Sequence, residues 1–168
     1  MVFETPNLII REFNTGDAAF IFELLNSPGW KKFIGDRFIN TLDDAINYIV
    51  TGPIASYTKN GYGGWMVIMK ETGQPIGMCG LFKREYLAGP DLGFAFLPQF
   101  EGKGFGYESS MAAIQYIKEN YPLDGLFATT ALTNTRSQRL LERCGFTNNG
   151  TVTLPGYTED SRLYYRSL

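Results

Sequence analysis

The thirty-one residues DLGFAFLPQFEGKGFGYESSMAAIQYIKENY, from Asp91 to Tyr121, constrain the fold more tightly than any other stretch. Leu92, Phe94 and Phe96 alternate with Asp91, Gly93, Ala95 and Leu97, the period of a strand. Gly102, Gly104 and Gly106 follow at alternate positions around Lys103. From Gly104 to Tyr121 the apolar residues Tyr107, Met111, Ile114, Ile117 and Tyr121 recur at three and four residues, which predicts a helix with one buried face. A strand, a glycine turn and a helix in direct succession demand an α/β arrangement. The small residues on the Asp91 face imply that something comes close, either a packed helix or a ligand lying along the strand.

The glycine turn has a chemistry of its own. A residue without Cβ lets backbone approach a ligand and reach positive φ. The first turn of the helix offers free N–H groups and the positive end of the dipole. The combination suits a phosphate. Two familiar templates fail: Gly104, not Ser or Thr, follows Lys103, with Leu97 where a P-loop needs its earlier glycine, and Tyr107 stands where a dinucleotide fingerprint needs its third. On the residues alone, the alternatives are a phosphate cradle of another kind and a glycine-rich lead into a surface helix.

The remaining sequence predicts one mixed α/β domain over residues 1–168. NLIIREF (7–13) reads as the first strand. Asp17–Leu25 reads as a helix that Pro28 and Gly29 break, followed by an irregular WKKFIGDRF. Thr41 is placed to cap a second helix containing Ile46, Tyr48, Ile49 and Val50, and GPIASYTKNGYGG reads as a polar connection. GWMVIMKETGQPIGMCGLFKRE predicts a hairpin. LFATTAL (126–132), a short helix over Thr135–Cys144 closed by Gly145, and the strands FTNNGTVTL and SRLYYRSL complete the chain.

Composition excludes several classes. With 168 residues, 44% hydrophobic and 19% charged, the chain is globular rather than disordered. A net charge of −2 argues against a nucleic-acid surface. No apolar run reaches the length of a membrane span, and MVFETPNLIIREF lacks the pattern of a signal peptide. Cys79 and Cys144 are far apart in sequence, so a reduced, cytoplasmic setting is expected. The chain contains no histidine. That removes Ser–His and Cys–His nucleophiles and the commonest metal ligand, and no metal is expected.

In NTRSQRLLERCGF, Ser137, Leu140, Leu141 and Cys144 fall on one side of a helix, with Arg136, Arg139 and Arg143 as a stripe beside them. Ser137 is either a core-facing serine bonded to its own helix or a hydroxyl aimed into a site. The arginines are either a solvated face or cations near a phosphate. Asn134 caps this helix and can also meet a ligand.

An acidic strand, a Gly-x-Gly-x-Gly turn opening a helix, another strand, and then Asn-x-x-Ser with Gly-Phe resemble the GNAT acyltransferases. The branch most similar is the Rim-type N-acetyltransferases of ribosomal protein N-termini. The resemblance rests on TPNLIIREF, PDLGFAFLPQFEGKGFGYES and NTRSQRLLERCGF and spans nearly the whole chain. It implies a central mixed sheet of about seven strands flanked by about four helices, with acetyl-CoA as cofactor. The N–H groups of Gly102, Lys103, Gly104, Phe105, Gly106 and Tyr107 would hold its pyrophosphate, with Arg139 as a nearby cation. Phe94, Phe96 and Leu97 would line the pantetheine arm, and Asn134 and Ser137 would lie near the sulfur. Asp91 is the implied base, with Glu85 as fallback, and Ser137 the implied partner of the leaving thiolate.

Two departures stand out. Glu101 puts an anion before the first loop glycine, and Leu141 occupies the place of a tyrosine proton donor. The implied acceptor is an amine, a protein N-terminus first and a small amine (polyamine, amino acid or antibiotic) second. Trp30, Phe33, Tyr62 and Trp65 are candidates for its pocket, or else core aromatics. A silent acyl-CoA-binding regulator is the rival from another class, and a nucleotide binder fits poorly. Monomer and homodimer are both compatible with the sequence.

Overall fold

The computed structural model describes all residues, 1–168. Its centre is an eight-stranded sheet: β1 (Phe3–Glu4), β2 (Leu8–Arg11), β3 (Gly64–Met69), β4 (Gln74–Phe82), β5 (Asp91–Phe96), β6 (Gly125–Ala131), β7 (Thr147–Thr153) and β8 (Asp160–Ser167). The spatial order is β1-β2-β3-β4-β5-β6-β8-β7. Every neighbouring pair is antiparallel except β5 and β6. The two-residue β1, too short for a periodic signal, adds an eighth strand to the seven expected.

Six α-helices cover the sheet: α1 (Ala18–Leu25), α2 (Pro28–Phe33), α3 (Leu42–Ile49), α4 (Ala55–Asn60), α5 (Phe105–Asn120) and α6 (Thr135–Arg143). Two were not anticipated. α1 ends at Leu25, ahead of Pro28 as expected, but Pro28 also starts α2 at its first position, where a missing N–H costs nothing. GPIASYTKNGYGG is largely helical: α3 widens through a π-helical turn, Val50–Ile54, and runs on into α4. The wider turn accommodates Pro53, which has no N–H for an interior α-helical bond. Thr41 caps α3 as expected, and Asp44 completes the capping box.

Trp65 on β3 meets Tyr116 of α5 edge-on, and Cys79, its partner on β4, lies 3.9 Å from Ser110. That face of the sheet belongs to α5. Tyr57 of α4 reaches the Gly64 carbonyl on β3, on the opposite side, where α1 packs on α3. The buried line of α5 is Ser109, Ser110, Ala113, Ile114 and Ile117, while Tyr107, Met111 and Tyr121 flank it half-buried. Small residues at 109 and 110 bring the helix close to β4 and β5. One apolar cluster of 31 buried residues runs through both layers.

Candidate active site

Where β5 meets β6 the sheet forks. The two strands are in register only at Asp91 and Phe127, where the Phe127 N–H donates to the Pro90 carbonyl at 3.0 Å. Beyond that point they diverge. The other edge of β5 is fully paired with β4, and that of β6 with β8 from Gly125 to Ala131. The backbone of Leu92–Phe96 facing the gap is therefore unpaired inside the protein. Such an edge is a template for an extended ligand carrying amide groups.

The wide end of the fork opens on the glycine turn. Gly102 and Gly104 have φ of +74° and +90°, a region that side chains rarely enter. Gly104 is the N-cap of α5 and has no side chain to cap it, so the first-turn N–H groups face outward. A Cβ on Gly104 would meet nothing within 4 Å, so the cradle is open. Gly106 has another job: a Cβ there would lie 3.1 Å from Leu140 Cδ2, so it lets α5 approach α6. Glu108, an acid in this same first turn, is occupied by Thr5 Oγ1 at 2.5 Å and by the N–H and Nδ2 of Asn7, each at 3.0 Å. Those bonds hold its carboxyl below the usual range, against the effect of burial.

Glu101 does not face the cradle as a bare anion. Its Oε2 accepts from Arg136 Nη1 at 2.7 Å, so the turn is tied to the first turn of α6. The arginine stripe thus divides. Arg136 neutralises Glu101, Arg143 stacks 4.6 Å from the Tyr107 ring centre, and Arg139 is exposed. The pairing of Arg136 with Glu101 is not legible in the sequence, because the partners lie 35 residues apart.

Asp91 stands at the closed end, at the point where β5 and β6 part. It is 4% exposed. Burial pushes its carboxyl up to about 6, against the pull of the Arg84 guanidinium. Arg84 Nε donates to Asp91 Oδ1 at 3.3 Å. The small residues beside Asp91 explain how Arg84 gets there. A Cβ on Gly93 would lie 2.8 Å from the Phe82 ring, so Gly93 makes room for that ring. Arg84 stacks 5.0 Å from the ring's centre. At Gly93 the close approach is that of the protein's own Phe82. The register Phe82↔Asp91 is the signal that would have found Arg84.

Across the fork, α6 begins at Asn134, whose Oδ1 accepts from the Ser137 N–H at 3.2 Å. The half-buried Ser137 hydroxyl makes no hydrogen bond to its own helix or to any other part of the protein. Leu141, one turn on, is 1% exposed and has nothing to donate. Glu85 lies exposed in the β4–β5 loop.

The chain matches the model of the acetyltransferase (GNAT) domain over residues 7–147. The chain belongs to the GNAT acetyltransferase family. This acetyltransferase is 25% identical to YoaA, an uncharacterised N-acetyltransferase of Bacillus subtilis, over 90% of this chain and 85% of that one. Its fold is similar to that of RimL, a ribosomal L7/L12 α-N-protein acetyltransferase solved with coenzyme A, at a TM-score of 0.80 and 15% identity, covering 99% and 97% of the two chains. It is also similar to a spermidine N-acetyltransferase of Vibrio cholerae solved with CoA and spermine, at a TM-score of 0.78 and 21% identity, covering 97% and 96%. The acetyl donor of the family is acetyl-CoA, and the open cradle and strand edge fit its two ends.

The four aromatic candidates of the GNAT domain separate. Trp65 is 2% exposed and wedged edge-on between Phe3 and Tyr116, so it is a packing residue with no surface for an acceptor. Trp30 is 6% exposed within the core, its Nε1 without a partner. Phe33 is half-buried beneath Lys32. Tyr62 is also half-buried and feels the Asp91 charge, although burial does most to push its phenol up.

Proposed function

We propose that the protein transfers the acetyl group of acetyl-CoA to the α-amine at a protein N-terminus by direct attack. The observation that carries this reading is the placement of a buried acid, Asp91, at the apex of a fork whose far end is an open anion cradle. A long donor with phosphates at one end and a thioester at the other suits that span.

In this reading the N–H groups from Gly102 to Tyr107 bind the pyrophosphate, with Arg139 beside it, and the free edge of Phe94–Leu97 bonds the pantetheine amides. Asp91 takes the proton of the incoming ammonium through a water, since its side chain is short. The amine lone pair then forms the new C–N bond to the thioester carbonyl and the C–S bond breaks. The amine's remaining surplus proton leaves to solvent or base, and the CoA thiolate departs with one proton regained. Ser137, whose hydroxyl is free, donates a hydrogen bond to the sulfur, a role that Leu141 cannot fill. Glu85 is the reserve base. Trp30, Phe33 and Tyr62 lie on the acceptor side. Both cysteines are buried free thiols, which accords with a reducing, cytoplasmic site of action.

The deciding experiment pairs a thermal-shift titration with acetyl-CoA, CoA and ATP with thiol-release assays on N-terminal peptides, spermidine and free amino acids. Stabilisation by both CoA species and turnover of peptides is expected. Turnover of small amines alone would move the acceptor to that class. Binding without turnover of any amine would leave a silent acyl-CoA-binding protein.

A further inference from the structure

The cradle is made of residues that do not hold themselves in place. Gly102 and Gly104 keep their positive φ without side chains, and glycine gives up more freedom on ordering than any other residue. The first turn of α5 has no capping side chain of its own. Something else must fix it. On the α6 side it is held by contact, through Leu140 against Gly106 and Arg143 over the Tyr107 ring. On the other side it is held by hydrogen bonds, and those run through Glu108.

Glu108 works in two directions. Its N–H donates to the Gly104 carbonyl at 3.0 Å, which closes the first turn of α5 on a residue with a φ of +90°. Its carboxylate is taken up by the β1–β2 turn. Oε1 accepts from Thr5 Oγ1 at 2.5 Å and from the Asn7 N–H at 3.0 Å, and Oε2 accepts from Asn7 Nδ2 at 3.0 Å. Bonds to an ionised acceptor are the strong kind. They also occupy both oxygens of an anion that stands in the same helical turn as the cradle.

The β1–β2 turn is a firm anchor. The Thr5 N–H donates to the Leu8 carbonyl and the Leu8 N–H to Thr5 Oγ1, each at 2.9 Å. Pro6 fixes its own φ between them. The Asn7 carbonyl accepts the Lys70 N–H at 2.9 Å, which carries the pairing of β2 and β3 one residue further. Glu108 thus transmits the stiffness of three paired strands to the start of α5.

Resting on the reading of Gly102–Tyr107 as the pyrophosphate cradle, we propose that Glu108 is a positioning residue for acetyl-CoA, and that Thr5 and Asn7, 103 and 101 residues upstream, belong to the cofactor site through it. None of the three touches the ligand. They hold the Gly104 carbonyl and the free N–H groups beyond it in the arrangement that phosphates need. With the tie loosened, binding must also order the turn.

The test measures the Kd for CoA by calorimetry, and KM and kcat for acetyl-CoA, on the full chain. Thr5→Val removes the hydroxyl, and Asn7→Asp sets a second carboxylate against the first. Each should raise the Kd and the KM about fivefold, a fraction of what a hydrogen bond to a charged group is worth. The kcat and the acceptor KM should not change. Thr5→Ser restores the hydroxyl and should restore both constants. Glu4→Gln breaks the Glu4–Lys70 pair of 3.1 Å beside the same turn, involves no residue of α5, and should alter neither. In the ligand-free protein, amides of Glu108–Ser110 should exchange with deuterium faster in Thr5→Val than in the wild type. Variants that melt lower but bind CoA as the wild type does would overturn the inference and leave Glu108 as a fold-holding residue. A fall in kcat with unchanged CoA affinity would overturn it too. Wild-type protein that does not bind CoA would sink the cradle itself, and the inference with it.

Discussion

Arg84 and Asp91 share a hydrogen bond of 3.3 Å at the apex of the fork, and the pair sets the proton affinity of the site. Burial raises the Asp91 carboxyl to about 6 and Arg84 opposes that rise. A base must be ionised to act, so the rate at saturating substrates is expected to climb through an acidic limb near pH 6. Removing the opposing charge in Arg84→Gln should move that limb upward. A limb that stays in place in Arg84→Gln, or that survives in Asp91→Asn, would remove Asp91 from the proton path.

The same group links pH to stability. The folded-state value lies above the ordinary one of roughly 4, so the folded protein binds the proton more readily than the unfolded chain does. The contribution therefore favours folding below about pH 4 and is lost as pH rises through about 6. At pH 7.5 the ionised, buried carboxylate is a cost. Asp91→Asn should raise the melting temperature there by at least about 2 °C while abolishing turnover. A melting temperature that falls would mean that Arg84 needs the charge more than the fold suffers from it.

Gly104→Val puts a branched side chain into the open cradle at a φ of +90°. Strain alone costs on the order of 1–2 kcal/mol of stability. CoA affinity should fall by more than about tenfold, since the side chain stands where the phosphates bind. Equal affinity in a folded sample would place the phosphates elsewhere.

Ser137→Ala removes a hydroxyl that has no protein partner, so it should leave stability within about 0.5 kcal/mol. Turnover should drop by about tenfold, with little change in the KM for acetyl-CoA. Unchanged turnover would reduce Ser137 to a space-filling residue.

Glu101→Gln tests the clasp on Arg136. The ion pair is largely exposed, so the fold should barely notice its loss. Arg136 is then released toward the phosphates, and CoA should bind about threefold more tightly at low salt. Weaker binding would mean that Glu101 positions the turn rather than opposing the ligand.

What could be read from the chain beforehand was whatever depends on near neighbours. The cradle at Gly102–Tyr107, the β3–β4 hairpin and the Thr41 cap are written in residues a few places apart. Pro28 misled because one residue type both stops and starts helices, and only its position in the turn decides. Trp65 stayed open between pocket and core because an aromatic in a predicted hairpin has the same sequence signature on either face. The pairings of Arg84 with Asp91 and of Arg136 with Glu101 were not legible because they are fixed by strand register and by the packing of elements distant in sequence. The Gly93–Phe82–Arg84 stack is a third example. Glycine in a strand signals a close approach, but only the register names the visitor.

The fork has one more consequence. All of β1–β5 and α1–α5 come from residues up to Asn120, and β6, α6, β7 and β8 all come from Gly125 onward. The seam in the sheet thus coincides with a single crossing of the chain. Within the sheet the two contiguous pieces pair along one short stretch, and a ligand lying in the gap would touch both. Acetyl-CoA would act as a non-covalent staple between them. Backbone amides on β6 and α6 should then exchange with deuterium more slowly when the staple is in place, and a chain nicked between Tyr121 and Asp124 should hold together best in its presence.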